Sequence, residues 1–172
     1  MARAPHSEAT LLRALGLIVL MLVYAGCATS SRRPDEPVPS PSASIEPIPG
    51  DRIAALAETL VGSPYRYGGA DPAGFDCSGL VFFVHRQLGI SVPRTAAEQS
   101  LLATPVDPAH LEPGDVVFFR DSGREVTHVG LYTGEHRFVH APKSGRPVGY
   151  ASLEDDYYRS MFLGAGRFYV PP

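Results

Sequence analysis

The sequence predicts an α+β domain in which helices come first and antiparallel strands follow. Three observations carry that expectation. Ile53, Leu56, Ala57, Leu60 and Val61 recur at the 3.6-residue period of an amphipathic helix. Leu80-Val81-Phe82-Phe83-Val84 is apolar all round, which marks a central, buried helix. His128 to Thr133 and Arg137 to Ala141 are short alternating runs around Gly134, a hairpin signature.

Each element has its own local reason. Asp51 is placed to cap the first helix, and Gly62-Ser63-Pro64 ends it. A Gly-rich loop with Tyr65, Tyr67, Gly68 and Gly69 follows; without a lysine or a following helix it does not match a phosphate-binding loop. The second helix starts at Asp76 or Cys77 and stops at Leu88-Gly89, where glycine terminates it. Thr95 caps a short helix through Leu102. Leu111-Glu112-Pro113-Gly114-Asp115 is a turn into the strand Val116-Val117-Phe118-Phe119. Phe162 to Val170 supplies another strand after the acidic stretch Glu154 to Asp156.

Length and charge bound the function classes. The 172 residues suffice for one domain with a real core. Charged residues make up 19% of the chain and nearly cancel, at a formal net charge of −3, so no nucleic-acid partner is expected. Arg3 and Arg13 precede an apolar run from Ala14 to Ala28, too short for a spanning helix of about 18 residues or more. The run ends in Val23-Tyr24-Ala25-Gly26-Cys27, which resembles the lipobox of bacterial lipoproteins, with Tyr24 where an aliphatic residue is usual. An ordinary secretory signal or a short membrane anchor is the alternative.

The chain is therefore expected to divide into three parts. Residues 1–26 are a lipoprotein signal peptide, 27–50 a lipidated Cys27 with a Pro/Ser-rich tether, and 51–172 the folded domain. Six prolines between Pro34 and Pro49 make the tether an extended spacer. Ala28 after Cys27, rather than aspartate, resembles lipoproteins sorted to an outer membrane. The expected location is the bacterial envelope, lipid-anchored and facing the periplasm.

With Cys27 acylated, Cys77 is the only thiol left in an oxidising compartment, with no partner for a disulfide. It sits at an expected helix start, where partial positive charge and unpaired N–H groups favour the nucleophilic thiolate. A small buried hydrophobe is the competing reading of a lone cysteine.

A thiol nucleophile needs a base and a group to orient that base. Of six histidines, His85 reads as a surface residue on the second helix, and His110 and His136 as solvated turn positions. His128 and His140 are different. If the hairpin loop holds an odd number of residues centred on Gly134, His128 lies opposite His140, Gly130 opposite Phe138 and Val129 opposite Val139. The two imidazoles then share a face, and one can fix the tautomer of the other. Gly130 would leave room there for a helix end. A two-residue loop would put the histidines on opposite faces. Zinc held by Cys77, His128 and His140 is the competing reading, but the set lacks the close-spaced pair of most zinc motifs. No metal or cofactor is expected.

These residues fall in a series of ordered motifs: Pro64-Tyr65-Arg66-Tyr67-Gly68-Gly69, Asp76-Cys77-Ser78-Gly79-Leu80-Val81, Pro93-Arg94-Thr95 with Gln99, Pro113-Gly114-Asp115-Val116, His128-Val129-Gly130-Leu131-Tyr132 and Phe138-Val139-His140-Ala141. In that order the chain resembles the NlpC family of cell-wall cysteine peptidases over roughly residues 53–170. The resemblance implies a reduced papain-like fold on an antiparallel sheet of five to six strands. It implies Cys77 as nucleophile, His128 as general base and His140 as the orienting third member. Tyr65 would help polarise the scissile carbonyl, and Asp76 and Ser78 would lie by the substrate, although Asp76 is equally a plain helix cap. The implied substrate is peptidoglycan, cut in its stem peptides or cross-links, often next to a D-glutamyl or diaminopimelyl residue. Thiol amidases and acyltransferases share related folds, and a binding-only lipoprotein could use the same cleft. A monomer is expected.

Overall fold

The structure, a computed structural model, describes residues 50–170 apart from 122, 124, 143 and 144. The expected signal peptide and Cys27 lie outside the described residues, as does the expected tether apart from Gly50, which is already helical. The described chain runs through α1 (Gly50–Thr59), β1 (Ala70–Asp71), β2 (Gly74–Phe75), α2 (Cys77–Gln87) and α3 (Ala96–Leu102). The strand region follows with β3 (Thr104–Val106), β4 (Val116–Phe119), β5 (His128–Gly134), β6 (Arg137–His140) and β7 (Gly149–Ser152), then α4 (Asp156–Met161) and β8 (Phe162–Arg167). Three of these four helices precede the main sheet, α4 falls between its last two strands in the chain, and the domain is α+β.

That sheet is antiparallel and six-stranded, in the order β3-β8-β4-β5-β6-β7. All four residues of β4 are buried, because both faces of the sheet are covered. Val116 and Phe118 join Val129, Leu131 and Val139 in the core beneath α1 and α2. Val117 and Phe119 join Tyr132, Phe138 and Ala165 on the opposite face, with Tyr158 and Met161 of α4 against them. A short continuous apolar run thus reads as a central strand.

α1 buries Ile53, Ala54 and Ala57. Asp51 lies within its first turn rather than capping it, and Val61 falls beyond its end, 39% exposed. α2 keeps the expected limits: Asp76 caps it and accepts the Gly79 N–H. Its start packs against the Gly-rich loop so closely that a Cβ on Gly79 would overlap the Gly69 carbonyl. Thr95 caps α3 by accepting the Glu98 N–H, and α3 ends at Leu102 as the pattern indicates.

Several elements differ from the sequence reading. β3 and β7 are short edge strands with little apolar signal, and β1 and β2 hold two residues each. α4 occupies a segment read only as an acidic stretch; Asp155 caps it and accepts the Tyr157 N–H. The last strand stops at Arg167. His85 is fully buried rather than superficial, because a helix apolar on most of its surface is enclosed and carries its one histidine inside.

The β5–β6 hairpin departs most from expectation. Its turn is the two-residue Glu135-His136, with φ of 51° and 57°, and Gly134 pairs Arg137. Continued regularly, that turn would have set His128 and His140 on opposite faces. Instead the register shifts between Tyr132 and Gly134, so that Tyr132 pairs Phe138 and Leu131 pairs Val139. Thr133 is the extra residue of this bulge. Extended by one residue, the ladder sets His140 across from Gly130 rather than His128, and the histidines share a face as diagonal neighbours. Gly130 makes room for the Phe138 ring and not for a helix end: a Cβ there would come within 2.5 Å of the ring.

Candidate active site

A cleft of about 1050 Å³ opens where the start of α2, the Gly-rich loop and the β5–β6 hairpin meet. Tyr65, Asp76, Cys77, Ser78, His128 and His140 all line it, so every residue singled out in the folded domain comes to one place. His110 and His136 stay exposed and outside it.

Cys77 is the first residue of α2, is partly buried and forms no disulfide among the described residues. Two opposing influences act on it. The backbone N–H groups of Val129, Ser78 and Cys77 itself favour the thiolate. Burial first and the Asp76 carboxylate second outweigh them and push the thiol above its ordinary range. A helix start therefore does not set the net direction here, because desolvation and the negative charge of the cap exceed the pull of the N–H groups.

Asp76 is the hub beside the thiol. Its Oδ1 accepts the Gly79 N–H at 2.6 Å and its Oδ2 the Gly68 N–H at 2.9 Å. Arg94 closes a fork on it, Nη1 to Oδ1 at 2.9 Å and Nη2 to Oδ2 at 2.7 Å. Arg94 also donates to Ser78 Oγ at 3.0 Å and to the Gly69 carbonyl at 3.3 Å. One guanidinium thus ties the loop, the cap and the helix start together. Gln99, buried, donates to the carbonyls of Ser78 and Pro93 at 3.0 and 2.8 Å and holds the Arg94 segment against α2. Arg94 and Gln99 were visible in the sequence only as motif members; their partners lie 16 to 25 residues away for Arg94 and up to 21 for Gln99.

His128 Nε2 and His140 Nδ1 lie 2.7 Å apart, with the rings at 83° to each other. Two ligands of one zinc ion, each at about 2.0–2.1 Å, could not approach so closely in a tetrahedral shell, so these nitrogens do not face a shared metal. His140 is only 4% exposed. Burial, then His128, then Arg146 lower its pKa to about 3, so it is neutral at physiological pH. Tyr65 enters from the loop through a bridge to Phe75, and its hydroxyl is pushed up by burial and then by Cys77.

In the sequence the Tyr157-Tyr158 segment carries no diagnostic pattern, so nothing there marks Tyr158. It lines the cleft, and its hydroxyl lies 3.4 Å from His140 Nε2.

The sequence model of the NlpC/P60 family matches residues 62–167, from the Gly-rich loop through the last strand. The chain belongs to the NlpC/P60 family. Its relatives include the Escherichia coli murein DD-endopeptidase MepH, 43% identical over 116 residues, which cover 64% of this chain and 43% of that protein. Bacillus subtilis gamma-DL-glutamyl hydrolase is 43% identical over 119 residues, 67% of this chain and 29% of its own length. The chain thus spans less than half of these two relatives. It aligns along nearly the whole of a third, the probable endopeptidase NlpC of E. coli, at 35% identity over 88% of this chain and 96% of that one. Among solved NlpC/P60 structures, a Bacillus cereus family protein superposes with a TM-score of 0.68 at 33% identity, covering 72% of this chain and 41% of that one. NlpC1 from Trichomonas vaginalis gives 0.66 at 34% identity, over 70% of this chain and 44% of its own.

Proposed function

We propose that this NlpC/P60 chain is a lipid-anchored cysteine endopeptidase that hydrolyses peptide bonds in peptidoglycan stem peptides or cross-links. The observation that carries the reading is one cleft holding a thiol at a helix start and a pair of hydrogen-bonded histidines. The relatives named as acting on murein and on gamma-DL-glutamyl bonds support the substrate class.

The chemistry follows from the electrostatics. Burial keeps Cys77 a thiol at rest, so its proton leaves as the sulfur attacks. His128 Nε2 is committed to His140, which makes Nδ1 the nitrogen that takes this proton. The sulfur adds to the scissile carbonyl, and the Cys77 N–H with the Tyr65 hydroxyl steadies the oxyanion. Collapse expels the amine, which receives the proton from His128, and leaves a thioester on Cys77. A water activated by the same imidazole then releases the acid and restores the thiol. Asp76 and Ser78, fixed by Arg94, form the wall along which the peptide lies.

Cys27, acylated, would hold the domain at the membrane, and the Pro-rich tether would let the cleft reach the wall from the periplasmic side of an outer membrane. Digestion of purified murein by the full-length protein, with muropeptides identified by mass, tests the activity. New muropeptides with the wild type and none with Cys77→Ala are expected. An unchanged profile with folded wild-type protein would falsify the peptidase reading. Wild-type protein that takes up no label on metabolic palmitate labelling would rule out the lipid anchor, and label that persists in Cys27→Ser would rule out Cys27 as its site.

A further inference from the structure

The proposed mechanism works only if the proton shared by the two histidines sits on the correct ring. At 2.7 Å, a single hydrogen lies between His128 Nε2 and His140 Nδ1. If it belongs to His128, the His128 Nδ1 carries a lone pair and is a base. If it belongs to His140, a neutral His128 carries its proton on Nδ1 and cannot accept one from Cys77. His140 is neutral, so its own tautomer decides between these states. That tautomer is decided in turn by what meets His140 Nε2.

The group that meets it is the Tyr158 hydroxyl, at 3.4 Å. The phenol ring is held edge-on against four others: Phe119 at 5.5 Å, Phe138 at 5.1 Å, Tyr157 at 5.1 Å and His140 itself at 5.4 Å between centroids. These contacts fix where the oxygen lies. The distance is long for a hydrogen bond.

Resting on the peptidase reading above, we propose that Tyr158 is a positioning residue whose hydroxyl oxygen accepts the Nε2–H of His140 and thereby leaves His128 basic. The proton chain then runs in one direction. His128 Nε2–H donates to His140 Nδ1, and His140 Nε2–H donates to Tyr158 Oη. Tyr158 turns its own proton outward into the cleft, which its partial exposure permits. Both imidazoles then hold their proton on Nε2, the form that neutral imidazole side chains intrinsically favour. The reverse chain, with Tyr158 donating, would force both onto Nδ1. Burial raises the Tyr158 pKa, so the hydroxyl stays neutral and does not compete for the His128 proton as a phenolate would.

The relay thus extends past His140, where the sequence alone ends it. It makes a residue of α4, eighteen positions away, the terminus of the chain. Asp155, which caps α4 by accepting the Tyr157 N–H, belongs to the same device because it sets where that helix begins.

Tyr158→Phe removes only the hydroxyl and keeps the ring contacts, so the fold is preserved. The test reads nitrogen shifts of both imidazoles by NMR on the full-length protein in detergent micelles, beside murein turnover. Wild-type protein should show His128 and His140 protonated on Nε2. In Tyr158→Phe a His140 Nδ1–H population should appear, with kcat reduced about 3- to 10-fold, as for loss of one hydrogen bond, and KM within about twofold. Wild-type His140 protonated on Nδ1 overturns the inference, and so do unchanged tautomers in the variant, whatever happens to kcat. Wild-type protein inactive on murein would strike the peptidase reading instead, while the tautomers still decide this one.

Discussion

His128 Nε2 and His140 Nδ1 form a 2.7 Å contact across a ladder in which they are not partners. A two-residue turn alone would have separated them onto opposite faces. The bulge at Thr133 restores the common face and leaves them diagonal, with Gly130 across from His140. Removing the acceptor from that contact is therefore expected to disable the base without disturbing the sheet. His140→Leu should lower murein turnover by about 10²–10⁴-fold, the usual worth of a positioned proton acceptor. His140→Asn, which restores an acceptor, should recover part of that loss. Equal turnover in the leucine and wild-type proteins would show that His140 orients nothing.

Arg94 should matter through its fork and not only through its charge. Arg94→Lys keeps the cation but cannot span both Asp76 oxygens and Ser78 together. Asp76 then acts less screened on Cys77, and the raised thiol rises further. We expect kcat/KM to fall by roughly tenfold, the worth of one lost charged hydrogen bond, and Cys77 alkylation at pH 8 to slow. A lysine variant with wild-type alkylation across pH would separate the clamp from the thiol.

His85 gives the domain an acid limit. Its Nδ1 donates to the Val81 carbonyl at 2.9 Å, and its Nε2 has no hydrogen-bond partner among the described residues. Burial depresses its pKa to about 4 from an ordinary 6.5. Because the folded value is the lower one, the unfolded chain binds the proton first. Stability is then fully present above pH 6.5 and is lost as pH falls toward 4. His85→Leu should flatten this limb, retaining about 2–3 kcal/mol more than wild type at pH 4 relative to pH 7 in urea unfolding. Parallel curves for the two proteins would assign the acid limit elsewhere.

Asp115 and Arg167 join β4 to β8 at the entrance of β4. Nε meets Oδ1 at 2.6 Å and Nη2 meets Oδ2 at 2.9 Å, with the carboxylate fully buried. The Glu112 N–H supplies a further bond to Oδ2. Asp115→Ala leaves the guanidinium to the more exposed Glu112 and should cost about 3–5 kcal/mol of unfolding free energy, as for breaking a buried pair. A loss below about 1 kcal/mol would class the pair with surface ion pairs.

How much of this was legible in the chain depends on the range over which each force acts. The limits of α2, the caps at Asp76 and Thr95, the β4 run and the hairpin are set by neighbours within a few residues, and periodicity records them. The same local order placed Cys77 at a helix start, whereas the common face of the two histidines came from the Thr133 bulge. The edge strands and α4 carry little apolar pattern, because their place is fixed by partners distant in sequence. Thr133 could not be recognised as a bulge, since register is a compromise between the turn and the burial of Val139. His85 looked superficial because helix burial depends on what encloses it.

By itself, then, the sequence determined the α+β order, the family and the residues that meet in the cleft. Tertiary structure decided how they meet: Arg94 on Asp76, Tyr158 against His140, and a thiol whose proton is held rather than shed. The reason is physical. Hydrogen-bond direction and desolvation depend on atoms brought together from across the chain, and no local pattern records them.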